Sequence, residues 1–239
     1  MGNKIVITGA SSEIGLAIAR KFLVGENEVV LHGNKNIIHC EKLTNNLNVN
    51  YKLVRADFSL ENEIEQFLIE LKNVDILING AALNAYGLLS NYSDENIDKM
   101  LTINIKSLIK ITRAAINQML IKRKGVIINI SSVMAQRGLR GASLYAGTKG
   151  FMESMSRVLT AEYGKKGIRI NNVAPGPIDS GELKKTREYA EEEVRQLSIS
   201  KRLGNPEDVA NLVYFLTEDK AEFINGKTYA IDGGFNTGI

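Results

Sequence analysis

The chain of 239 residues has an ordinary globular composition, with 44% hydrophobic residues, 24% charged residues and a formal net charge of +3. This mild charge, without a dense block of Lys and Arg, argues against nucleic-acid binding. No apolar run approaches the ~20 residues that a membrane-spanning helix needs. The single cysteine, Cys40, excludes an internal disulfide and a cysteine-based zinc cluster, and it fits the reducing cytoplasm where we expect the protein to work.

The chain opens with a short apolar strand, predicted over Ile5–Thr8, and continues through a glycine-bearing turn into a helical pattern over Leu16–Val24. A turn between a first strand and a first helix is typical of dinucleotide-binding folds. There the helix N-terminus offers free N–H groups and a positive dipole end to the pyrophosphate. Gly9 allows the tight turn, and Gly15 lets the helix pack closely on the strand. Glu13 stands where a glycine would let the backbone approach the phosphates.

A second strand is predicted over Val29–His32. In NAD enzymes this strand usually ends in an acid that binds the ribose hydroxyls. Here Asn34 and Lys35 follow the strand, and no acid occurs before Glu41. A lysine at this place suits the 2′-phosphate of NADP, and the alternative is an ordinary loop cation. We therefore expect a preference for NADP(H), with NAD(H) as the other cofactor the chain could use.

Strands and helices alternate along the rest of the chain. Further strands are predicted over 51–55, 74–78, 126–130, 168–173 and 227–231, and helical patterns over 60–71, from 94 onward, through 145–149 and over 206–216. This alternation, with no linker or repeat, predicts one α/β domain over residues 1–239. The expected fold is a doubly wound Rossmann-type domain with a seven-stranded parallel sheet flanked by helices. The charged segment Gly181–Ser200 predicts a mobile helical lid.

Three side chains suited to proton transfer follow the fifth strand. Ser132 lies at the strand end, and Tyr145 and Lys149 lie four residues apart at the start of a helix, where they share one face. A free tyrosine has a pKa near ~10, and a nearby ammonium lowers it towards the range useful for acid–base catalysis. The serine hydroxyl can hold a substrate oxygen beside the phenol. Serine hydrolysis is excluded because neither His32 nor His39 lies near this stretch.

These residues resemble the short-chain dehydrogenase/reductase family, and the resemblance covers essentially the whole chain. The matching motifs occur in the family's order and at its spacing, at Thr8, Gly9, Ile14, Gly15, Asp57, Asn79, Asn104, Ser132, Tyr145, Lys149 and Pro175–Ile178. The C-terminal run Arg202–Ala210 and the run Asp232–Gly234 are similar to those of bacterial 3-oxoacyl-[acyl-carrier-protein] reductases. Many sugar, steroid and antibiotic-pathway reductases share these motifs, so the motifs indicate the family more strongly than the substrate.

The resemblance implies a role for each member of the catalytic set. Ser132 would orient the substrate oxygen, and Tyr145 would donate or accept the proton. Lys149 would lower the tyrosine pKa and bind the nicotinamide ribose, and Asn104 would hold a water of the proton relay. Asn104 lies among apolar residues of a helical stretch, where a buried amide needs a partner; the alternative is an amide on the helix surface.

The resemblance also implies the cofactor contacts. Asp57 would meet the adenine, and Asn79 would line the adenosine side. The other implied cofactor contacts are Thr8, Gly9, Ser11, Ser12, Ile14, Gly15, Asn34, Lys35, Ala81, Tyr145, Lys149, Pro175, Gly176, Ile178 and Ser180, and no metal site is expected. Two departures from the family pattern bear on the cofactor, because Glu13 replaces its second glycine and Ser12 replaces a basic residue common in NADP-preferring members.

The expected function is therefore NADP(H)-dependent reduction of a small-molecule ketone to a secondary alcohol. We expect a 3-oxoacyl group carried on acyl carrier protein, as in fatty acid biosynthesis. A sugar or secondary-metabolite alcohol dehydrogenase/reductase of the same family is the alternative. A non-catalytic nucleotide-binding regulator is a rival from another class, because fold does not determine activity.

Two further expectations concern partners. Basic clusters precede the fifth and sixth strands, and Arg123 and Lys166 match positions through which such reductases bind their acidic carrier protein. The alternative is that helix ends favour cations because these complement the helix dipole. The family also implies a homotetramer. Phe151, Met152, Met155 and Val158, at helical spacing, are either its contacts or internal core.

Overall fold

The computed structural model describes residues 2–180, 192 and 197–237. The strands run over Lys4–Thr8 (β1), Glu28–Gly33 (β2), Asn50–Arg55 (β3), Ile76–Asn79 (β4), Gly125–Ile130 (β5), Ile168–Pro175 (β6) and Thr228–Ile231 (β7). They form one sheet in the order β3-β2-β1-β4-β5-β6-β7, and each neighbouring pair is parallel. The predicted seven-stranded parallel sheet is confirmed.

The helices cover both faces of this sheet. They run over Glu13–Phe22 (α1), Ile38–Thr44 (α2), Glu61–Phe67 (α3), Asp94–Leu101 (α4), Ser107–Lys122 (α5), Ser143–Tyr163 (α6) and Pro206–Thr217 (α7). Successive β1 residues point to opposite faces, so Ile5 and Ile7 pack in a core with α1 and α7 while Val6 packs in a second core with α5. Within the described ranges, no helix is both long enough and apolar enough to cross a bilayer.

The structure differs from the sequence prediction at two places, and a third prediction lies mostly outside the described residues. The short helix α2 was not anticipated from the residue pattern. The helical stretch around Asn104 is interrupted by a π-helical turn, Thr102–Lys106, which joins α4 to α5. The lid predicted over Gly181–Ser200 lies mostly outside the residues that the structure describes.

A row of buried amides crosses the sheet close to the ends of its central strands. Asn79, Asn129 and Asn172 are register partners on β4, β5 and β6. The Nδ2 of Asn79 donates to the Oδ1 of Asn129 at 2.8 Å, and the Nδ2 of Asn129 donates to the Oδ1 of Asn172 at 3.1 Å. Ser156 of α6 bonds to both Asn129 and Asn172, at 2.9 and 2.7 Å. We call this network the asparagine row. Its bonds to Ser156 fix the position of α6 along the strands of the sheet.

Candidate active site

The candidate site lies at the carboxyl edge of the parallel sheet. The chain crosses from β3, at one edge of the sheet, back to β4 beside β1, so the connections on the two sides of this point run in opposite directions. Ligands of open α/β sheets bind in the crevice that such a reversal leaves at the strand ends. The residues after β1, β2, β4, β5 and β6 therefore meet around one crevice.

Two glycines shape the turn between β1 and α1. Gly9 has a φ of +71°, and a Cβ built on it would lie 2.7 Å from the main-chain N of Ala81. A Cβ on Gly15 would lie 2.2 Å from the carbonyl O of Gly9. A side chain at either position would collide with backbone, so both predicted roles, the tight turn and the close helix approach, agree with the geometry.

Hydroxyl groups hold this turn in place. The Oγ1 of Thr8 accepts from the main-chain N–H groups of Gly80 and Ala81, at 3.1 and 3.2 Å, which ties β1 to the segment after β4. The Oγ of Ser12 caps α1 by accepting from Gly15 N at 3.0 Å, and it donates to the Gly9 carbonyl at 2.9 Å. Ser12 thus closes the turn itself, where the family's NADP-preferring members often carry a cation.

His32 is a part of this region that the sequence reasoning missed. It is buried at the end of β2, where its Nδ1 accepts from Gly9 N at 3.2 Å and its Nε2–H donates to the Ala56 carbonyl at 3.1 Å. Its ring stacks on Phe58 with a centroid distance of 4.0 Å. Burial lowers the pKa of His32 to about 4, so the ring is neutral at pH 7. Its hydrogen bond with Gly9 N stabilises the glycine turn. The available signal was a single polar residue closing an apolar strand.

The residues expected on the adenosine side come together at the ends of β2 and β3. A Cβ on Gly33 would lie 2.7 Å from the Ser11 Oγ, so Ser11 packs directly on this strand end. Asn34 hydrogen-bonds to Asp57, whose Oδ1 also accepts from the N and Oγ of Ser59, at 2.9 and 2.7 Å. Burial alone would raise the pKa of Asp57, but these hydrogen bonds and the charge of Lys99 outweigh it and hold the pKa below its usual value. Lys35 follows Asn34 as an exposed cation.

Lys149 joins the catalytic helix to the end of β5. It is only 3% exposed, and its Nζ donates to the Ile130 carbonyl at 2.7 Å, two residues before Ser132. The same Nζ lies 5.7 Å from the ring centre of Tyr145. Burial lowers the pKa of Lys149 to about 8, and the carboxylate of Glu153 acts in the opposite direction. The Lys149 ammonium is therefore held close to Tyr145, where a positive charge favours the phenolate form.

Ser132 caps a short turn over Val133–Ala135, its Oγ accepting from Met134 N at 3.2 Å. Because the Lys149 bond fixes Ile130 against α6, this hydroxyl lies beside the helix that carries Tyr145. The ring of Tyr86, from the segment after β4, packs edge-on against Tyr145 at 5.9 Å. The phenol thus has a protein wall on one side.

Asn104 is buried in the π-helical turn, and both polar atoms of its side chain have protein partners. Its Oδ1 accepts from Leu83 N at 2.7 Å, and its Nδ2 donates to the Leu83 carbonyl and to Thr148 Oγ1, at 3.0 and 3.1 Å. Thr148 in turn donates to the Tyr145 carbonyl at 2.8 Å. The expectation that this amide needs a partner is confirmed, and the surface alternative is wrong. Short π-helical segments often occur at functional sites, and residue spacing alone did not reveal this one.

The remaining expected cofactor contacts fall into two groups. Pro175 ends β6, Gly176 N donates to the Ile231 carbonyl at 3.0 Å, and Ile178 pairs with Gly204. These residues line the same edge, and Ser180 is the last described residue before a gap. The side chain of Asn79, by contrast, is committed to the asparagine row, so its main chain is what it can offer a ligand.

The arrangement fits a dinucleotide cofactor and a carbonyl substrate. The Gly9 turn brings the start of α1 to the carboxyl edge of the sheet, where the N–H groups of a helix N-terminus suit a pyrophosphate. Ser132, Tyr145 and Lys149 place a hydrogen-bond donor, a phenol and an ammonium at the end of β5. Among the described residues, no group of three or more His, Cys, Asp or Glu is placed to hold a metal ion.

Comparison with known proteins agrees with this geometry. A family model described as enoyl-(acyl carrier protein) reductase matches residues 9–236. A relative in Rickettsia prowazekii, named 3-oxoacyl-[acyl-carrier-protein] reductase FabG, is 35% identical over 233 residues, which cover 98% of this chain and 96% of the relative. Nodulation protein G of Rhizobium meliloti is 33% identical over 237 residues, with the same coverage of both chains.

Solved structures show the same architecture. A short-chain dehydrogenase/reductase from Serratia marcescens superposes with a TM-score of 0.90 at 26% identity, covering 99% of this chain and 98% of that one. A candidate NAD(P)-dependent gluconate 5-dehydrogenase from Beutenbergia cavernae, which holds NADP at low occupancy, superposes with a TM-score of 0.92 at 26% identity. It covers 99% of this chain and 97% of its own.

Proposed function

Because this chain belongs to the short-chain dehydrogenase/reductase family, we propose that it reduces the ketone of a 3-oxoacyl thioester to a secondary alcohol. The observation that carries the proposal is the hydrogen bond from Lys149 to the Ile130 carbonyl, which holds the ammonium near Ser132 and 5.7 Å from the Tyr145 ring centre. Curated relatives named as 3-oxoacyl-[acyl-carrier-protein] reductases support the substrate class.

Each residue then has a defined task. The nicotinamide, when bound, supplies the hydride. Ser132 donates a hydrogen bond to the ketone oxygen and holds it near Tyr145, which gives its phenolic proton to that oxygen. Lys149 stabilises the phenolate that remains and binds the nicotinamide ribose. Asn104 offers a relay water the second lone pair of its Oδ1, since its other bonding capacity is used by Leu83 and Thr148.

The test is the Tyr145→Phe variant, which removes one oxygen from the proposed proton donor. We expect the variant to fold and to bind NADPH, while kcat for an acetoacetyl thioester falls on the order of 10²- to 10⁴-fold. Turnover is followed by NADPH absorbance and cofactor binding by fluorescence. A variant with near-normal kcat would overturn the assignment. Wild-type protein that binds NADPH tightly but turns over no carbonyl compound would favour the regulator instead.

We place NADP(H) ahead of NAD(H) as the cofactor. Lys35 is exposed beside the end of β2, where a 2′-phosphate would lie, and β2 ends in Gly33 and Asn34 instead of an acid. Asp57, which follows β3, is already engaged by Asn34 and Ser59. The NADP held by the Beutenbergia structure is consistent with this choice.

A carrier protein is the proposed bearer of the substrate, in keeping with a role in fatty acid biosynthesis. The two basic clusters adjoin at the amino edge of the sheet, because Gly167 packs on the Arg123 carbonyl and its own carbonyl accepts from Gly125 N at 3.2 Å. Lys166 lies over the Tyr163 ring, 5.5 Å from its centre. This basic patch lies at the edge opposite its own crevice, so it would serve a neighbouring subunit.

A homotetramer, acting in the cytoplasm, completes the proposal. Phe151 and Val158 are exposed on α6, Val158 to 55%, whereas Met152 is buried. The alternative that all of these apolar residues are internal core is therefore wrong for Phe151 and Val158, which leaves them for a subunit contact. A dehydrogenase or reductase acting on a sugar or secondary-metabolite alcohol is the second candidate function, because the likeness to the gluconate 5-dehydrogenase is as strong as that to other solved structures. Gluconate oxidation without ketone reduction would select it.

A further inference from the structure

Glu153 is a buried carboxylate that the proposed reaction does not use. It lies on α6 one turn after Lys149 and is only 5% exposed. Burying an ionised carboxylate is costly unless it is hydrogen-bonded. Its Oε1 accepts from the Ser131 hydroxyl at 2.7 Å, and its Oε2 accepts from the Gln136 Nε2 at 3.1 Å. Both carboxylate oxygens are therefore directed at one short segment of chain.

That segment carries the serine of the site. Ser131 immediately precedes Ser132, and Gln136 follows the short turn that Ser132 caps. The carboxylate thus grips both ends of residues 131–136 from the helix that also carries Tyr145 and Lys149. If the two Glu153 bonds were lost, the bond from Lys149 to the Ile130 carbonyl would still hold the start of the segment to α6. The part of the segment beyond Ile130 would then be held less firmly.

We infer that Glu153 is a positioning residue, whose carboxylate fixes the Ser132 hydroxyl relative to Tyr145 by holding Ser131 and Gln136 against α6. This inference rests on the proposed function, because it concerns the geometry of the same site. The reason for expecting an effect on rate is that small displacements of a reacting group are costly, since near-attack geometry supplies much of the acceleration.

The same carboxylate also acts on Lys149 through its charge. Glu153 raises the Lys149 pKa against the lowering effect of burial, as expected for an opposite charge at i+4. The other titratable groups around the pair are Tyr145 on the same helix, Tyr86 against Tyr145, and Arg137 next to Gln136, whose guanidinium lies over the Phe235 ring. Position and charge can therefore be separated by the choice of variant.

Three variants separate these effects. Ser131→Ala removes the hydrogen bond from Ser131 to Glu153 and keeps the Glu153 charge. Glu153→Gln keeps an acceptor for Ser131, and Gln136 can rotate its amide to present an oxygen, so the grip survives and the charge is lost. Glu162→Gln is the matched control, because it makes the same exchange on the same helix at an exposed position.

We expect Ser131→Ala to lower kcat for an acetoacetyl thioester on the order of tenfold or more, with the NADPH Kd within about twofold of wild type. Hydrogen exchange of residues 131–136 should be faster in this variant. In Glu153→Gln the exchange should stay slow while the Lys149 pKa, followed by NMR of ¹³C-labelled lysine, falls below its wild-type value. The control should match wild type in every measurement.

Two results would overturn the inference. One is a wild-type kcat in Ser131→Ala. The other is a loss of kcat matched by equal losses of cofactor affinity and melting temperature, which a purely structural role predicts. Hydrogen exchange and the lysine titration need no substrate, so they test the inference separately from the proposed function. If the wild-type protein reduces no ketone, the proposed function fails. If hydrogen exchange of residues 131–136 is unchanged in Ser131→Ala, the proposed role of Glu153 in holding this segment fails.

Discussion

Replacing Lys149 by methionine should stabilise the cofactor-free protein while abolishing its activity. The buried ammonium has a pKa of about 8 instead of 10.5. At ~1.4 kcal/mol per pKa unit, this corresponds to about 3 kcal/mol of lost stability at pH 7. Methionine has a similar length and no charge. The Ile130 carbonyl loses its donor in the variant, which costs ~1–3 kcal/mol, so we expect a net gain of about 1 kcal/mol at pH 7.

The dependence on pH is the sharper part of this prediction. The unfolded chain keeps a proton on Lys149 up to pH 10.5, whereas the folded protein releases it near pH 8. Between these values the unfolded state binds more protons, so wild-type stability rises with pH. Lys149→Met has no such group. Its advantage over wild type should therefore shrink, and then reverse, by about 2–3 kcal/mol between pH 7 and pH 10.

Urea unfolding of both proteins without cofactor, at closely spaced pH values, measures this difference. Lys165→Met is the control, because it removes an exposed lysine just after the same helix, and its stability difference from wild type should stay constant with pH. Parallel stability curves for wild type and Lys149→Met would refute the reasoning, since they would show that Lys149 titrates equally in the folded and unfolded chains.

Three further predictions follow from the site and its surroundings. Lys35→Ala should raise the Kd for NADPH and leave that for NADH nearly unchanged, as measured by fluorescence titration; equal losses would contradict the 2′-phosphate contact. Arg123→Glu should abolish any gain in kcat/KM of an acetoacetyl-carrier protein over the same group on a small thiol. That gain should also fade at high salt, and no carrier preference at any salt would favour the alternative of a sugar or secondary-metabolite alcohol. Wild-type stability should fall by about 3 kcal/mol between pH 6.5 and pH 4, because burial keeps His32 neutral while the unfolded chain binds a proton. Urea unfolding should show the same slope in His39→Gln and a smaller one in His32→Gln; an unchanged slope in His32→Gln would contradict this.

Local residue patterns were sufficient to predict the sheet. The short β-branched runs at β1 and β5 are typical of buried strands, and the alternation of strands with helices favours the parallel pairing that the sheet shows. The roles of Gly9 and Gly15 were also predictable, because each depends on backbone geometry within one turn of chain. The i and i+4 spacing of Tyr145 and Lys149 placed both groups on one helix face for the same reason.

The contacts that sequence patterns missed join residues far apart in the chain. His32 reaches Gly9 across 23 positions, and Ser131 reaches Glu153 across 22. These bonds depend on strand register and helix rotation, which no local pattern determines. Glu153 in particular has the i+4 relation to Lys149 of an ordinary surface ion pair. Its burial, which makes it informative, is a property of the folded protein.

The asparagine row favours the correct register of the central strands while the sheet forms. If β5 slipped by one residue against its neighbours, an isoleucine would replace Asn129 on the row, because Ile128 and Ile130 flank it. Asn79 and Asn172 would then each lose a buried hydrogen bond to Asn129, at ~0.5–1.5 kcal/mol per bond, and every β5 side chain would move to the opposite face of the sheet. Parallel strands pair slowly because they are distant in sequence, so near-miss alignments have time to form. The asparagine row makes a one-residue slip less stable, so the accuracy of folding depends in part on three buried side chains that lie beside the site.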